Sequence, residues 1–173
     1  MVTRRLVTGN VDGRSVVLSD GAVPRYHEYK NVPGFSTALV WATSTPSTEV
    51  LADPITAVSS YIPGRGETRL IIATFPPDSV FTSEDFDPCA ACTEQKEHLT
   101  GLVDSFDPER PGMHKTPTVD YGIVLDGPVW LELDDGVLEK LDSHSICIQQ
   151  GNIHAWRNLS DKSAKIAFVL IDC

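Results

Sequence analysis

The feature that most restricts this chain is the rhythm of its second half. From Thr118 onward, six short runs rich in β-branched and other apolar residues follow one another: 119–125, 129–133, 137–141, 145–149, 154–157 and 165–171. The breaks between them hold Asp126-Gly127, Asp134-Asp135-Gly136, Gln150-Gly151 and Ser160-Asp161, residue types suited to tight turns. Short runs bounded in this way predict antiparallel hairpins of a sandwich or barrel.

The first 79 residues carry the same signature more loosely. Segments 15–18, 37–43, 57–61 and 68–75 read as strands, with turns at Asp12-Gly13, Asp20-Gly21 and Pro63-Gly64, so an N-terminal β meander is expected over 1–79. Residues 80–113 interrupt it. Asp87-Pro88 is a helix-start pair, because aspartate caps orphan amides and proline suits the first helical position. Leu99, Leu102, Val103 and Phe106 follow at helical spacing, predicting a helix over 88–105 that Pro108, Pro111 and Gly112 end. A chain of 173 residues suits one domain, 1–173, all-β with one helical insertion.

Charge narrows the function. Fourteen basic against 24 acidic residues give −10, which repels phosphate backbones and anionic membranes, so neither nucleic acid nor a membrane surface is an expected partner. The excess lies in residues 80–142, with fifteen acids against four bases. Most of these form a solvated face. The apolar stretches around 70–75 and 166–171 are too short to cross a bilayer, and Arg4-Arg5 is followed by no signal-like apolar run, so a cytoplasmic protein is expected. Cys89, Cys92, Cys147 and Cys173 are too few for a disulfide framework, and the Cys89-x-x-Cys92 pair lacks the partners of a zinc or redox site. Asn158-Leu159-Ser160 is an idle sequon in such a protein.

Chemistry concentrates in two segments. His114-Lys115-Thr116-Pro117-Thr118-Val119-Asp120 is followed after six residues by Gly127; further on comes Gln149-Gln150-Gly151-Asn152-Ile153-His154-Ala155-Trp156-Arg157-Asn158. Alternation along a strand puts His114, Thr116 and Asp120 on one side, and His154, Trp156 and Asn158 likewise. Tyr121 and Arg157 alternate away, and His27, His98 and His144 show no partner pattern. Trp41, Tyr61 and Phe75 are candidate wall residues from the first sheet.

These segments resemble the two motifs of the cupin superfamily, in its small single-domain, RmlC-like form. His114 takes the first histidine position, Thr116 the second, Asp120 the glutamate and Gly127 the closing glycine; Ser143 takes the first glycine of the second motif, Gln149 the proline, Gly151 the next glycine, His154 the histidine and Asn158 the asparagine. The resemblance covers about 112–171. It implies an antiparallel, jelly-roll-like double-stranded β-helix and a homodimer. The usual donors are three histidines and a glutamate; Thr116 and Asp120 replace two of them.

What remains is two imidazoles and a carboxylate. That inventory leaves two chemistries open: a site for one divalent ion (Fe, Zn, Ni or Mn) held by His114, Asp120 and His154, or a metal-free acid–base site made of the same three residues. The expectation is an enzyme of secondary metabolism, a lyase or isomerase acting on a small oxygenated, aromatic or polyketide-like metabolite. In it His114, Asp120 and His154 are catalytic and Thr116, Trp156 and Asn158 bind substrate. An iron-dependent dioxygenase and a non-catalytic binding protein are the alternatives.

Overall fold

Eleven strands and one α-helix account for the regular structure of the described residues, 3–43 and 53–172 of a computed structural model. Cys173 lies outside them. Strand β1 (Arg4–Val11) turns into β2 (Arg14–Ala22) through Asp12 and Gly13, whose φ values of 50° and 78° give the two-residue turn that matches strand twist. This hairpin is a two-stranded sheet of its own. The sequence predicted only the 15–18 portion and a turn at Asp20-Gly21; both residues instead lie inside β2, opposite Leu6 and Arg5. Arg5 alone is buried, reaching the Val40 carbonyl and the Asp53 carboxylate.

The meander expected of the first third is β3 (Arg25–Glu28), β4 (Ser36–Thr43) and β5 (Thr68–Phe75), of which β3 had no strong sequence signal. It continues into β11 (Ala164–Ile171), β6 (Val119–Asp126) and β9 (Ile146–Gln150), making one six-stranded antiparallel sheet in the order β3-β4-β5-β11-β6-β9. A second sheet, β10-β7-β8, is built from β7 (Val129–Glu132), β8 (Leu138–Leu141) and β10 (Ala155–Arg157). Trp156 of β10 bridges the sheets, its ring on Phe168 of β11 and over Gly122 of β6, where an added Cβ would sit 3.2 Å from the indole. Val124, Val129, Ile166 and the smaller Ala164 fill the space beside it, and each of the three larger side chains contributes about 2 kcal/mol.

Segment 57–61 is not a strand. Its polar backbone groups are taken by single partners from elsewhere: Tyr61 N–H donates to Thr100 O, while the Ser60 and Val58 carbonyls accept from Arg69 and Arg25. The helix is also shorter than expected, Pro88–His98 (α1), with Asp87 accepting from Cys89 and Ala90 amides at its start. Gly101 stops it. At φ +80° beside Ser60 that position admits no side chain, so Leu99, Leu102 and Val103 continue as turns packed on the first core around Leu39, Ile71 and Leu170. No helix among the described residues is long and apolar enough to cross a membrane.

Candidate active site

His114 and His154 meet across the seam between the insertion and β10. Their main chains form one antiparallel rung, His114 N–H to His154 O at 2.9 Å and the reverse at 3.0 Å, and the ring centroids lie 4.4 Å apart. Each Nδ1 faces a carbonyl two residues upstream, Gly112 O at 3.0 Å and Asn152 O at 3.1 Å. A carbonyl only accepts, so both Nδ1 atoms carry the proton and both Nε2 atoms present a lone pair. Phe106, from the insertion, covers the His114 ring at 4.8 Å. Burial pushes His114 down to about 4, helped by the neighbouring imidazole and opposed by the Gly112 carbonyl. Burial lowers His154 as well, with the Asn152 carbonyl and the Asp120 carboxylate acting against it. Both rings are neutral at pH 7.

Asp120 stands within electrostatic reach of His154 at the end of a hydroxyl chain. Thr118 donates to Thr116 at 2.8 Å, and Thr116 donates to Asp120 Oδ2 at 3.1 Å. Burial raises the Asp120 pKa, against the threonine hydroxyls and His154. Oδ1 is buried with no partner. Directly across the strand pair from Asp120 is Gln149, whose Nε2 is likewise buried and without a partner. The sequence reading matched Gln149 to a motif proline and gave it no role. The signal was there: on β9 the apolar Ile146 and Ile148 face outward, 65% and 51% exposed, while Cys147 and Gln149 face in. That is the reverse of ordinary alternation.

Several expected roles change. Asn158 is not available to a substrate. It is 1% exposed, Nδ2 donates to Phe75 O and Lys162 O, and Oδ1 accepts from the Ser160 amide and hydroxyl, so every position on the amide is consumed in holding the turn after β10. The same burial closes the sequon. Thr116 is spent as a relay rather than a direct contact. Trp156 stands edge-on to the His154 ring at 6.1 Å between centroids and is packed against the core. Arg157 is half-buried and paired with Glu132, and Gly127 N–H donates to Ser143 Oγ, so the ends of the two motifs touch. Of the expected wall residues, Tyr61 and Phe75 are core, and Trp41 lies on the outer side against Arg5.

The expected metal triad is not assembled. Among the described residues no three His, Cys, Asp or Glu side chains are grouped so as to hold a metal ion. Two imidazoles meet and a threonine fills the fourth position, so His114 and His154 are the side chains here that could hold a divalent ion, short of the four donors usual in such sites.

A second cluster escaped the sequence reading. His27 of β3 stacks on His98 of α1 with centroids 3.5 Å apart, and its Nε2 lies 3.0 Å from Glu94. They line a surface groove of about 420 Å³. Residues 67 apart in sequence offered no pattern to find them by.

No protein-family model matches the chain. Among curated proteins it is similar to phomopsin biosynthesis cluster protein C' of Diaporthe leptostromiformis, 40% identical over 68 residues, 36% of each chain. Oryzines biosynthesis cluster protein J of Aspergillus oryzae is 33% identical over 63 residues, 36% of this chain and 35% of that one. The cupin-domain-containing oxidoreductase virC of Hypocrea virens is 31% identical over 64 residues, 35% and 33% of the two chains. Similarity over about a third of the chain to proteins named cupin-domain-containing agrees with the resemblance carried by the two motif segments. The chain spans about a third of the length of the curated relatives it matches. Among solved cupin-like structures, an RmlC-like cupin from Methanocaldococcus jannaschii is 11% identical over 66% of this chain and 78% of that one, with a TM-score of 0.40. A putative ethanolamine utilization protein Q from Salmonella typhimurium covers 99% and 98% at 7% identity and a TM-score of 0.44.

Proposed function

We propose that this cupin is a secondary-metabolism enzyme that carries out lyase or isomerase chemistry (dehydration, decarboxylation or rearrangement) on a small oxygenated metabolite, without a metal. One observation carries the proposal: the neutral His154, its Nε2 lone pair free, sits beside a buried carboxylate that the protein leaves half-satisfied. His154 is the general base, because Asp120 favours the imidazolium that forms when it takes a proton. His114 stays neutral and offers a second acceptor 4.4 Å away, ring to ring. Trp156 supplies an apolar wall. The biosynthesis-cluster names of the relatives support a metabolite substrate.

An iron-dependent oxygenase is the second reading. Imidazoles whose Nδ1–H is tied to backbone present Nε2 as metal ligands do, and some relatives are named oxidoreductases. One experiment separates the two. Purified protein, as isolated and after chelation, is incubated with a panel of hydroxylated carbonyl metabolites in D2O and the products are weighed by mass spectrometry. Loss of water or CO2, or deuterium-labelled isomers, insensitive to chelation and abolished in His154→Asn, is expected. Products that gain oxygen from O2, only in metal-loaded protein, overturn the acid–base reading. The expected homodimer belongs to the same proposal, supported by the outward Ile146, Ile148 and Tyr121 on the β6–β9 face; sedimentation reads it.

A further inference from the structure

Resting on the proposed enzyme reading, we infer that Gln149 and Asp120 form a two-point grip for a neutral carbonyl compound that carries a hydroxyl or N–H next to its carbonyl, such as a hydroxyketone or a carboxamide. In this grip the Gln149 Nε2–H donates to the carbonyl oxygen and Asp120 Oδ1 accepts from the adjoining hydroxyl or N–H.

The argument starts from two atoms. Asp120 and Gln149 are 6% and 3% exposed, and Oδ1 of the one and Nε2 of the other are the buried side-chain polar atoms left without a partner among the described residues. Buried donors and acceptors are almost always paired, because leaving one unmade forfeits its hydration with no return. Two such failures on directly opposed residues of neighbouring strands are not independent. Opposed side chains share a face and their Cα atoms lie about 5 Å apart, yet this donor and this acceptor do not bond each other. The donor and the acceptor are therefore out of hydrogen-bonding geometry with each other, and a group with the complementary acceptor and donor side by side would satisfy both.

The remaining surroundings select among groups. Asp120 Oδ2 already accepts from Thr116, which holds the carboxyl in place and leaves Oδ1 as its unmet acceptor. Arg69, in the same row of the sheet, is separated from Asp120 by Leu170 and spends its guanidinium on Glu67, Ser60, Thr43 and Thr68. Arg69 is therefore not available to neutralise an anion at the grip. A substrate carboxylate brings two acceptors against an aspartate and is rejected. A simple ketone leaves Oδ1 unmet, and a simple ether or hydrocarbon leaves both unmet. Gln149 is thus a specificity residue set beside His154, which shares the electrostatic neighbourhood of Asp120.

The test reads binding rather than turnover. 2-Hydroxyacetophenone and benzamide are titrated into the ¹⁵N-labelled full chain against acetophenone and benzoate, following the Gln149 side-chain NH2 signals. The expected result is a shift of those signals and binding about tenfold tighter than either control. Gln149→Met, which keeps the volume and removes the donor, is expected to erase the preference; Gln149→Asn, one methylene shorter, is the second variant and is expected to reduce it. No preference in the wild-type chain, or the same preference in both variants, overturns the proposal. So does a water cross-peak at the Gln149 amide that persists at saturating probe, since the pair then only holds a solvent molecule. The proposed enzyme fails separately: a preference without chemistry in the metabolite panel removes the enzyme and keeps the grip, and His154→Asn is expected to lose turnover and retain the preference.

Discussion

Two buried carboxylates stand beside histidines in this protein, and their surroundings drive them apart. Glu94 on α1 is opposed by burial, yet it accepts from the backbone amides of Asn31 and Lys30, from His27 and from the Asn31 side chain, and these together hold it down to about 2. Among the described residues Asp120 on β6 receives no backbone amide, only threonine hydroxyls on one side with Oδ1 left unmet, and burial raises it. Burial and a histidine neighbour are common to both. The difference lies in how many donors the backbone delivers, and that separates a carboxylate that fastens structure from one left with an unmet oxygen.

The sharpest way to break the contrast is to remove each charge. Glu94→Ala strands two loop amides and detaches α1 from the loop after β3, so a loss of about 3 kcal/mol is expected in urea denaturation. Asp120→Asn is expected to leave stability within about 1 kcal/mol of the parent, or raise it, while turnover falls about 100-fold. Equal destabilisation by the two changes would end the distinction.

Acid should separate the same regions along the pH axis. The folded His114 titrates at about 4, below its ordinary 6.5, so the unfolded chain takes up that proton first. Its contribution is complete above about pH 6.5 and falls by on the order of 3 kcal/mol as pH drops toward 4, with His154 shifted the same way. Glu94, also lowered, keeps its contribution above its ordinary 4.5 and loses it only as pH falls toward 2. Denaturation curves at descending pH should therefore show an upper window that His114→Asn flattens and a lower one that it leaves alone.

Asn158→Ala tests a residue moved from one class to the other. Leaving the Phe75 and Lys162 carbonyls without their donor is expected to cost about 2 kcal/mol, with KM for any substrate unchanged. The smallest effect is expected at the exposed pair Cys89 and Cys92, where replacement by serine should stay within about 0.5 kcal/mol.

How much of this could be read from the chain follows from range. Strand 68–75 matched β5 to the residue, and the six later runs each correspond to a strand, because alternation and turn residues are local. The helix start was legible in Asp87-Pro88; its end was not, because Gly101 is fixed by Ser60, forty-one positions earlier. Segment 57–61 had strand composition and lacked a strand to pair with. At the site, the motif spacing singled out His114, Asp120 and His154, of which the fold brings the two imidazoles into contact and Asp120 within electrostatic reach of His154. It misjudged Asn158, since a motif position says nothing about whether the side chain points at a ligand or back at its own turn. It passed over Gln149 because only the register opposite Asp120 reveals the unmet pair. The His27–His98 stack joins a strand and a helix whose proximity is wholly tertiary.

The rung between His114 and His154 has a consequence for how this site can change. Two amides and two carbonyls fix the distance between these positions, and no side-chain atom takes part. The frame therefore survives replacement of either imidazole, and what stands on it is exchangeable, like bits in a chuck. Substitution at these two positions therefore changes which side chains face each other while the backbone spacing that presents them stays the same.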